Sequence, residues 1–289
     1  MKSAPFQYHQ PKSKDELSGL LTTLSNAKIL AGGQSLMAML NLRLLSPDHL
    51  IDINKVRDLA GIALRDGFVE IGAMTRQHEL LASPLIQLHL PVLASALHYV
   101  GHSQTRSRGT IGGSCCHLDP AAELPAICAL YDAQFYVDGA NGQKVVRAEN
   151  WFDGFLQSAL GEDEFLEAIR FPLWGQDHGF GFAEFARRHG DYAIVGAGAL
   201  LECDANKTIS RASIVVFGTD SAPVRLAQVE KEFIGQTISK LDVAAASDAA
   251  RRLNAISDVH VTSAYRMRLA GIMVDRALTA AIAQMGSRQ

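Results

Sequence analysis

Residues 31–44 read AGGQSLMAMLNLRL: a glycine pair set between an apolar strand pattern at 28–31 and an apolar segment over 36–44. The pattern predicts a strand that runs into Gly32-Gly33, then Ser35 as N-cap of a helix. Without a Cβ in the way, successive backbone N–H groups at Gly32 and Gly33 are able to turn toward one anion. The helix N-terminus adds partial positive charge, and the Ser35 hydroxyl is a further donor. A pyrophosphate suits that geometry, and an ordinary left-handed turn between strand and helix explains the same letters. Some eighty positions on, the chain repeats the arrangement. GTIGGS (109–114) places Gly112-Gly113 between Thr110 and Ser114, ahead of a helical pattern with Leu124, Ile127 and Leu130 on one face. Two such loops suggest two grips on one long ligand. Asp119 then follows as an acceptor for sugar or polyol hydroxyls, or as the N-cap of the next helix.

Outward from the loops the pattern is mixed. Ser13 and Glu16 read as a capping box for a helix over 15–24. An alternating strand is expected at 49–54, and a hairpin at 61–65 and 68–73 turns on Asp66-Gly67. Helices are expected at 76–82 and 85–100, then a polar, glycine-rich loop at 101–114. Strands follow at 134–137, 144–147 and 164–170. A glycine-rich stretch at 173–181 marks a boundary. Beyond it come strand-like runs at 181–187, 193–202 and 209–217, then helices at 227–234, 243–255 and 263–285. The order predicts an α+β chain in at least two domains.

Composition narrows the function. The chain has 289 residues, 48% of them hydrophobic, with 27 basic and 30 acidic side chains for a formal charge of −3. That is enough apolar material for a substantial core and too little positive charge for a nucleic-acid binder. No apolar run approaches the roughly 18–20 residues of a membrane span. The opening MKSAPFQYHQPKSKDE lacks the apolar core of a signal peptide, so a cytoplasmic location is expected. Four cysteines (Cys115, Cys116, Cys128, Cys203) form no disulfide framework or metal-ligand spacing. The ten histidines are scattered, so no metal or cluster is expected on this chain, and no acid–base dyad or nucleophile is evident.

One motif misleads. AIVGAGALL (193–201), with Asp220 about twenty residues on, imitates a dinucleotide fold. However, Leu201 stands where the third glycine should be, and ECDANKT (202–208) spells a turn instead of a helix. Two hairpin-joined strands explain the stretch better. Tyr192, beside Arg187, Arg188 and Asp191, is either a strand-edge tyrosine or an aromatic that lies against a flat ring.

Taken together, AGGQSLMAMLNLRL (31–44), LIDINKV (50–56), VGHSQTRSRGTIGGSCCHLDPAAELPA (100–126), RRHGDYAIVGAGALLE (187–202), SAPVRL (221–226) and SAYRMRLAGIMVDRAL (263–278) resemble the FAD-binding medium subunit of molybdenum hydroxylases, the xanthine dehydrogenase/carbon monoxide dehydrogenase family. The likeness covers nearly the whole chain in the expected order.

The resemblance implies an FAD-binding domain of the vanillyl-alcohol-oxidase/PCMH type over 1–175, in subdomains of about 1–56 and 57–175. A C-terminal domain of antiparallel sheet plus helices would follow over 176–289. Ala31, Gly32, Gly33, Gln34, Ser35 and Leu36, with Thr110, Ile111, Gly112, Gly113 and Ser114, would hold the FAD pyrophosphate. Asp119 would face the ribityl or sugar hydroxyls, and Tyr192 the isoalloxazine ring. Molybdopterin would sit on a large partner subunit and two [2Fe–2S] clusters on a small one, commonly in a dimer of heterotrimers. The chain would then transfer electrons from those clusters through FAD to an external acceptor; a self-contained FAD oxidase or dehydrogenase of the same fold is the alternative. Gln34 stands where the carbon monoxide enzymes tend to have histidine, Ala38 where proline is frequent, and Cys115-Cys116 where small or aliphatic residues are usual.

Overall fold

The structure, a computed structural model, describes residues 2–286. Its first layer is a small parallel sheet. Strands β1 (Gln7–His9), β2 (Ala27–Leu30) and β3 (His49–Asp52) lie in the order β1-β3-β2, joined by helices α1 (Lys14–Thr23) and α2 (Leu36–Asn41). Ser13 caps α1 as the sequence predicts, its Oγ accepting from the Glu16 N–H at 3.2 Å. Because the strands are parallel, β2 and β3 end on the same edge, where ligands of such sheets bind. The chain 31–35 and Asn54 leave from that edge.

The second layer is a five-stranded antiparallel sheet in the order β4-β5-β10-β6-β7. It comprises β4 (Ile62–Arg65), β5 (Phe68–Gly72), β6 (Gln134–Gly139), β7 (Lys144–Arg147) and β10 (Glu164–Pro172), with β8 (Phe152–Gly154) and β9 (Gln157–Ser158) as a small separate hairpin. Between β5 and β6 come six short helices: α3 (Gln77–Ala82), α4 (Pro84–His89), α5 (Pro91–Leu97), α6 (Ser103–Arg108), α7 (Ile111–His117) and α8 (Glu123–Leu130). The single helix expected over 85–100 is divided at Pro91, which has no N–H to continue the α4 ladder and instead starts α5. The polar stretch expected as a loop at 101–114 contains α6 and the start of α7. Thr110 caps α7 by accepting from the Gly113 N–H at 3.0 Å, and the Ile111 N–H, donating to the Thr75 carbonyl at 3.2 Å, anchors the same turn from a distance.

The third layer is the antiparallel sheet β11 (Gly179–Phe185), β12 (Val195–Cys203), β13 (Ile209–Phe217) and β14 (Val224–Arg225), followed by α9 (Ala227–Phe233), α10 (Val243–Arg251) and α11 (Ser263–Gly286). Gly196 and Gly198 are strand residues in β12, as the rejection of the dinucleotide motif requires. The strand's two faces serve two cores, as the period of two demands. Val195, Ala197, Ala199 and Leu201 pack with Met273, Val274, Ala277 and Leu278 of α11. Leu200, with Val215 and Phe217 of β13, joins the core of the preceding layer, alongside Leu130, Phe135 and Trp151. There the two parts of the chain are one packing unit. An added Cβ on Gly198 would lie 2.9 Å from Leu130 Cδ2. Ser213 Oγ donates to the Leu130 carbonyl at 2.5 Å, and Arg225 Nη1 donates to the Ala129 carbonyl at 2.8 Å. The last carbonyls of α8, orphaned by the helix end, are thus satisfied from the third layer.

Candidate functional site

The two glycine loops touch. An added Cβ on Gly32 would lie 2.4 Å from the Arg108 carbonyl oxygen and 2.9 Å from Gly109 Cα. One on Gly113 would lie 3.7 Å from Ala31 Cβ. Side chain at Gly32 is therefore excluded by the neighbouring backbone, a packing reason for glycine beside the ligand one.

A polar bracket fixes this junction. Asn54 Nδ2 donates to the Ala31 carbonyl at 2.9 Å and to Asp52 Oδ1 at 2.5 Å, while its Oδ1 accepts from Arg76 Nη2 at 2.5 Å. Arg76 Nη1 in turn donates to the Arg108 carbonyl. Burial, with Arg108 beside it, draws the Arg76 pKa down. Burial raises Asp52, but donors from Tyr8, Asn54 and Gln10 outweigh it and hold the carboxyl below its ordinary range. Asn54 and Arg76 are the pair that sequence reasoning missed. Asn54 lies inside LIDINKV, yet apart from Asp52 its partners Ala31 and Arg76 are distant in the chain, so no local spacing marks the bracket.

The two loops present different chemistry. Among the described residues, the N–H groups of Gly32, Gly33, Gln34 and Ser35 have no protein acceptor. Gly33 takes φ +73°. Ser35 precedes α2 but makes no side-chain cap bond, which leaves its hydroxyl for another partner. In the second loop four backbone donors are spent, while among the described residues the Thr110 N–H and the Ser114 hydroxyl have no protein acceptor. Ile111 N–H donates to the Thr75 carbonyl, Gly112 to Ala73, Gly113 to Thr110 Oγ1 and Ser114 to the Thr110 carbonyl. Thr110, Ile111 and Gly112 are buried, whereas Gly113 and Ser114 are partly exposed. So the first loop presents a run of four free N–H groups, and the second a mostly closed backbone with the Ser114 hydroxyl left open. Leu36 begins α2 beside the first loop.

Asp119 is not the N-cap of α8; Ala122 takes that place. Asp119 Oδ1 instead accepts from the Ala121 N–H at 2.9 Å and folds the short turn between α7 and α8. Its charge bears on His117, Glu123 and Tyr192. Burial lowers the His117 pKa and Asp119 opposes it. Burial pushes Glu123 up to about 7, and Glu184 of β11 up to about 8 with Glu123 adding to it. Tyr192 arrives from the third layer. Tyr192 is 58% exposed, and its hydroxyl lies near Ser35, which acts to lower its pKa. Burial around that hydroxyl and the nearby Asp119 charge raise its pKa. Ser35 and Asp119, far apart in sequence, therefore both lie near enough to Tyr192 to act on its hydroxyl, beside the loop with free donors. That set fits an anionic, hydroxyl-bearing ligand with a flat ring.

Among the described residues no group of three or more His, Cys, Asp or Glu is placed to hold a metal. The four cysteines are free. Cys115 Sγ and Cys128 Sγ lie 3.6 Å apart in the core, and burial raises the Cys115 thiol.

Comparison with known proteins fits this geometry. Residues 4–174 match the family "FAD binding domain in molybdopterin dehydrogenase", and residues 180–281 match "CO dehydrogenase flavoprotein C-terminal domain". The chain is 38% identical over 281 residues to the carbon monoxide dehydrogenase medium chain of Hydrogenophaga pseudoflava, covering 96% of this chain and 98% of that one. It is also 38% identical over 284 residues to the 6-hydroxypseudooxynicotine dehydrogenase complex subunit alpha of Paenarthrobacter nicotinovorans, covering 98% and 96%. Its fold is similar to the solved carbon monoxide dehydrogenase from Hydrogenophaga pseudoflava, with a TM-score of 0.94, 37% identity and 98% and 99% of the two chains covered. Quinoline 2-oxidoreductase from Pseudomonas putida 86 gives a TM-score of 0.93 at 30% identity, with 99% of each chain covered. An FAD-binding domain followed by a C-terminal sheet-and-helix domain, with these relatives along its whole length, shows that the chain belongs to the family of FAD-binding medium subunits of the molybdenum hydroxylases, oxidoreductases of the carbon monoxide and xanthine dehydrogenase kind.

Proposed function

We propose that this chain passes electrons from [2Fe–2S] clusters on a small partner subunit, through its FAD, to an external acceptor. Hydroxylation itself would occur on a molybdopterin-bearing large subunit. Bound FAD supplies the redox chemistry, since a flavin accepts electrons singly and releases them in pairs. The protein's task is to bind and orient it. In this reading Gly32, Gly33, Gln34 and Ser35 give their free N–H groups to the pyrophosphate, with Ala31 and Leu36 shaping the loop's two ends. Thr110, Ile111, Gly112, Gly113 and Ser114 form the opposing wall, Asp119 accepts from ribityl or sugar hydroxyls, and Tyr192 covers the flat ring. The observation that carries the reading is the run of four unspent N–H groups at Gly32, Gly33, Gln34 and Ser35, with the Ser35 hydroxyl free of a cap bond.

The assembly proposed is a dimer of heterotrimers in the cytoplasm. Four free cysteines support a reducing compartment, and among the described residues no helix is long and apolar enough to cross a membrane. The FAD-binding part is taken as 1–175, subdivided near residue 56, and the C-terminal part as 176–289.

Purification of the full chain, with its visible absorbance and an FAD titration, is the direct test. A chain that carries no flavin and binds none sinks the proposal. Reduction of bound FAD by an organic substrate without partner chains would instead favour a self-contained oxidase or dehydrogenase of the same fold.

A further inference from the structure

Arg266 is a buried cation at the head of α11, 6% exposed. Its Nη1 donates to two carbonyls at once, Ile194 at 2.6 Å and Gly218 at 2.7 Å. Its Nη2 donates to Asp258 Oδ2. Asp258 is itself held by the N–H groups of His260 at 2.7 Å and Val261 at 2.8 Å, so the carboxylate that meets Arg266 is fixed by its own turn. The two carbonyls converge because the backbones that carry them do. Gly218 takes φ +78°, and an added Cβ there would lie 2.6 Å from the Ile194 oxygen.

Both carbonyls lead to the site described above. Ile194 is two residues from Tyr192, at the point where the chain leaves 187–193 and enters β12. Gly218 closes β13, and its own N–H donates to the Pro120 carbonyl at 3.0 Å, next to Asp119. The neighbouring Thr219 carbonyl accepts from the Ile256 N–H at 2.9 Å, which ties the Asp258 turn to the same corner. A planar guanidinium that donates from Nη1 to the carbonyls and from Nη2 to the carboxylate fixes two directions at once, which a lysine's point charge does not.

We infer that Arg266 is a positioning residue for the flavin site, one guanidinium that sets Tyr192 through Ile194 and Asp119 through Gly218 and Pro120. The inference rests on the proposed placement of Tyr192 against the isoalloxazine ring.

Flavin fluorescence in the full chain loaded with FAD reads this placement directly, because a tyrosine phenol quenches an excited flavin by electron donation and a phenylalanine ring does not. Tyr192→Phe sets the scale: bound-flavin emission should rise. Arg266→Gln should raise emission toward that level while FAD still binds, since the 32–35 loop is untouched, and Arg266→Lys should recover part of the quenching. Arg225→Gln removes an arginine from the same sheet that pairs with Glu230 and Asp132 away from Tyr192; it should lower stability and leave emission at the parent level. If Arg266→Gln does not fold, Asp258→Asn, at the exposed end of the fork, carries the test in the same sense. Parent-level emission in the Arg266 or Asp258 variant, with a rise in Tyr192→Phe, overturns the role of Arg266 and leaves the site reading intact. No rise in Tyr192→Phe itself shows that Tyr192 does not cover the ring, and overturns both.

Discussion

Arg76 Nη2 donates to Asn54 Oδ1 at 2.5 Å, and this contact joins the two glycine loops, because Asn54 also holds the Ala31 carbonyl and Arg76 the Arg108 carbonyl. Asn54→Ala removes the first anchor and leaves Arg76 with one partner fewer. A lost hydrogen bond with a charged, part-buried partner costs roughly 1.5–3 kcal/mol. If that cost falls on the bound state, FAD affinity drops by about tenfold or more. Titration of the apo chain with FAD measures it; unchanged affinity would mean the bracket does not shape the loop.

Gly32→Ala is expected to empty the site without unfolding the chain. Its Cβ would meet the Arg108 carbonyl at 2.4 Å, so one loop must shift away from the other. Purified Gly32→Ala should show a low ratio of flavin to protein absorbance. Gly19→Ala is the contrasting case. It sits in α1 with nothing within 4 Å of the added Cβ, and should raise stability by about 0.5–1 kcal/mol with full flavin content.

The Glu123 and Glu184 carboxyls give a pH dependence with a definite sign. Burial raises them to about 7 and about 8 from an ordinary 4.5. The folded state therefore favours their neutral forms, and its stability should fall as pH rises from the ordinary carboxyl range through about 8. Glu184→Gln cannot ionise. Its stability relative to the parent should grow between about pH 5 and about pH 8.5. Parallel denaturation profiles at the two pH values would refute the shift.

Trp151 stacks on Phe135 with ring centroids 4.0 Å apart and donates through Nε1 to the Cys115 carbonyl at 2.8 Å. Trp151→Phe keeps a stacked ring but leaves a buried carbonyl of α7 unsatisfied. The expected loss is about 1–3 kcal/mol, read as a lower midpoint in urea with unchanged slope.

The fold was legible where short-range chemistry dictates it. The Asp66-Gly67 hairpin, the Ser13 cap and the strand reading of Gly196 and Gly198 all rest on neighbours within a few residues. Sequence failed where one distant contact overrides composition. The polar stretch 101–114 looked like loop, yet α6 and α7 form there, with the Gly109 carbonyl accepting from the Gln77 N–H and the Ile111 N–H donating to the Thr75 carbonyl. Asn54, Arg76 and Arg266 escaped notice for the same reason, since their partners are set by the packing of three layers. The FAD reading itself came from separate motifs in a fixed order, a kind of information that no single loop contains.

Helix α8 belongs to the FAD-binding part by chain order, but its last turn is finished by Ser213 and Arg225, and Leu130 sits against Gly198. The two parts are consequently poor candidates for exchange between relatives at their boundary. A chimera cut near residue 175 would inherit a helix end from one parent and its caps from the other. Portability requires that the α8 terminus travel together with β12, β13 and the Arg225 segment, so the unit that can be grafted onto another complex is the whole chain.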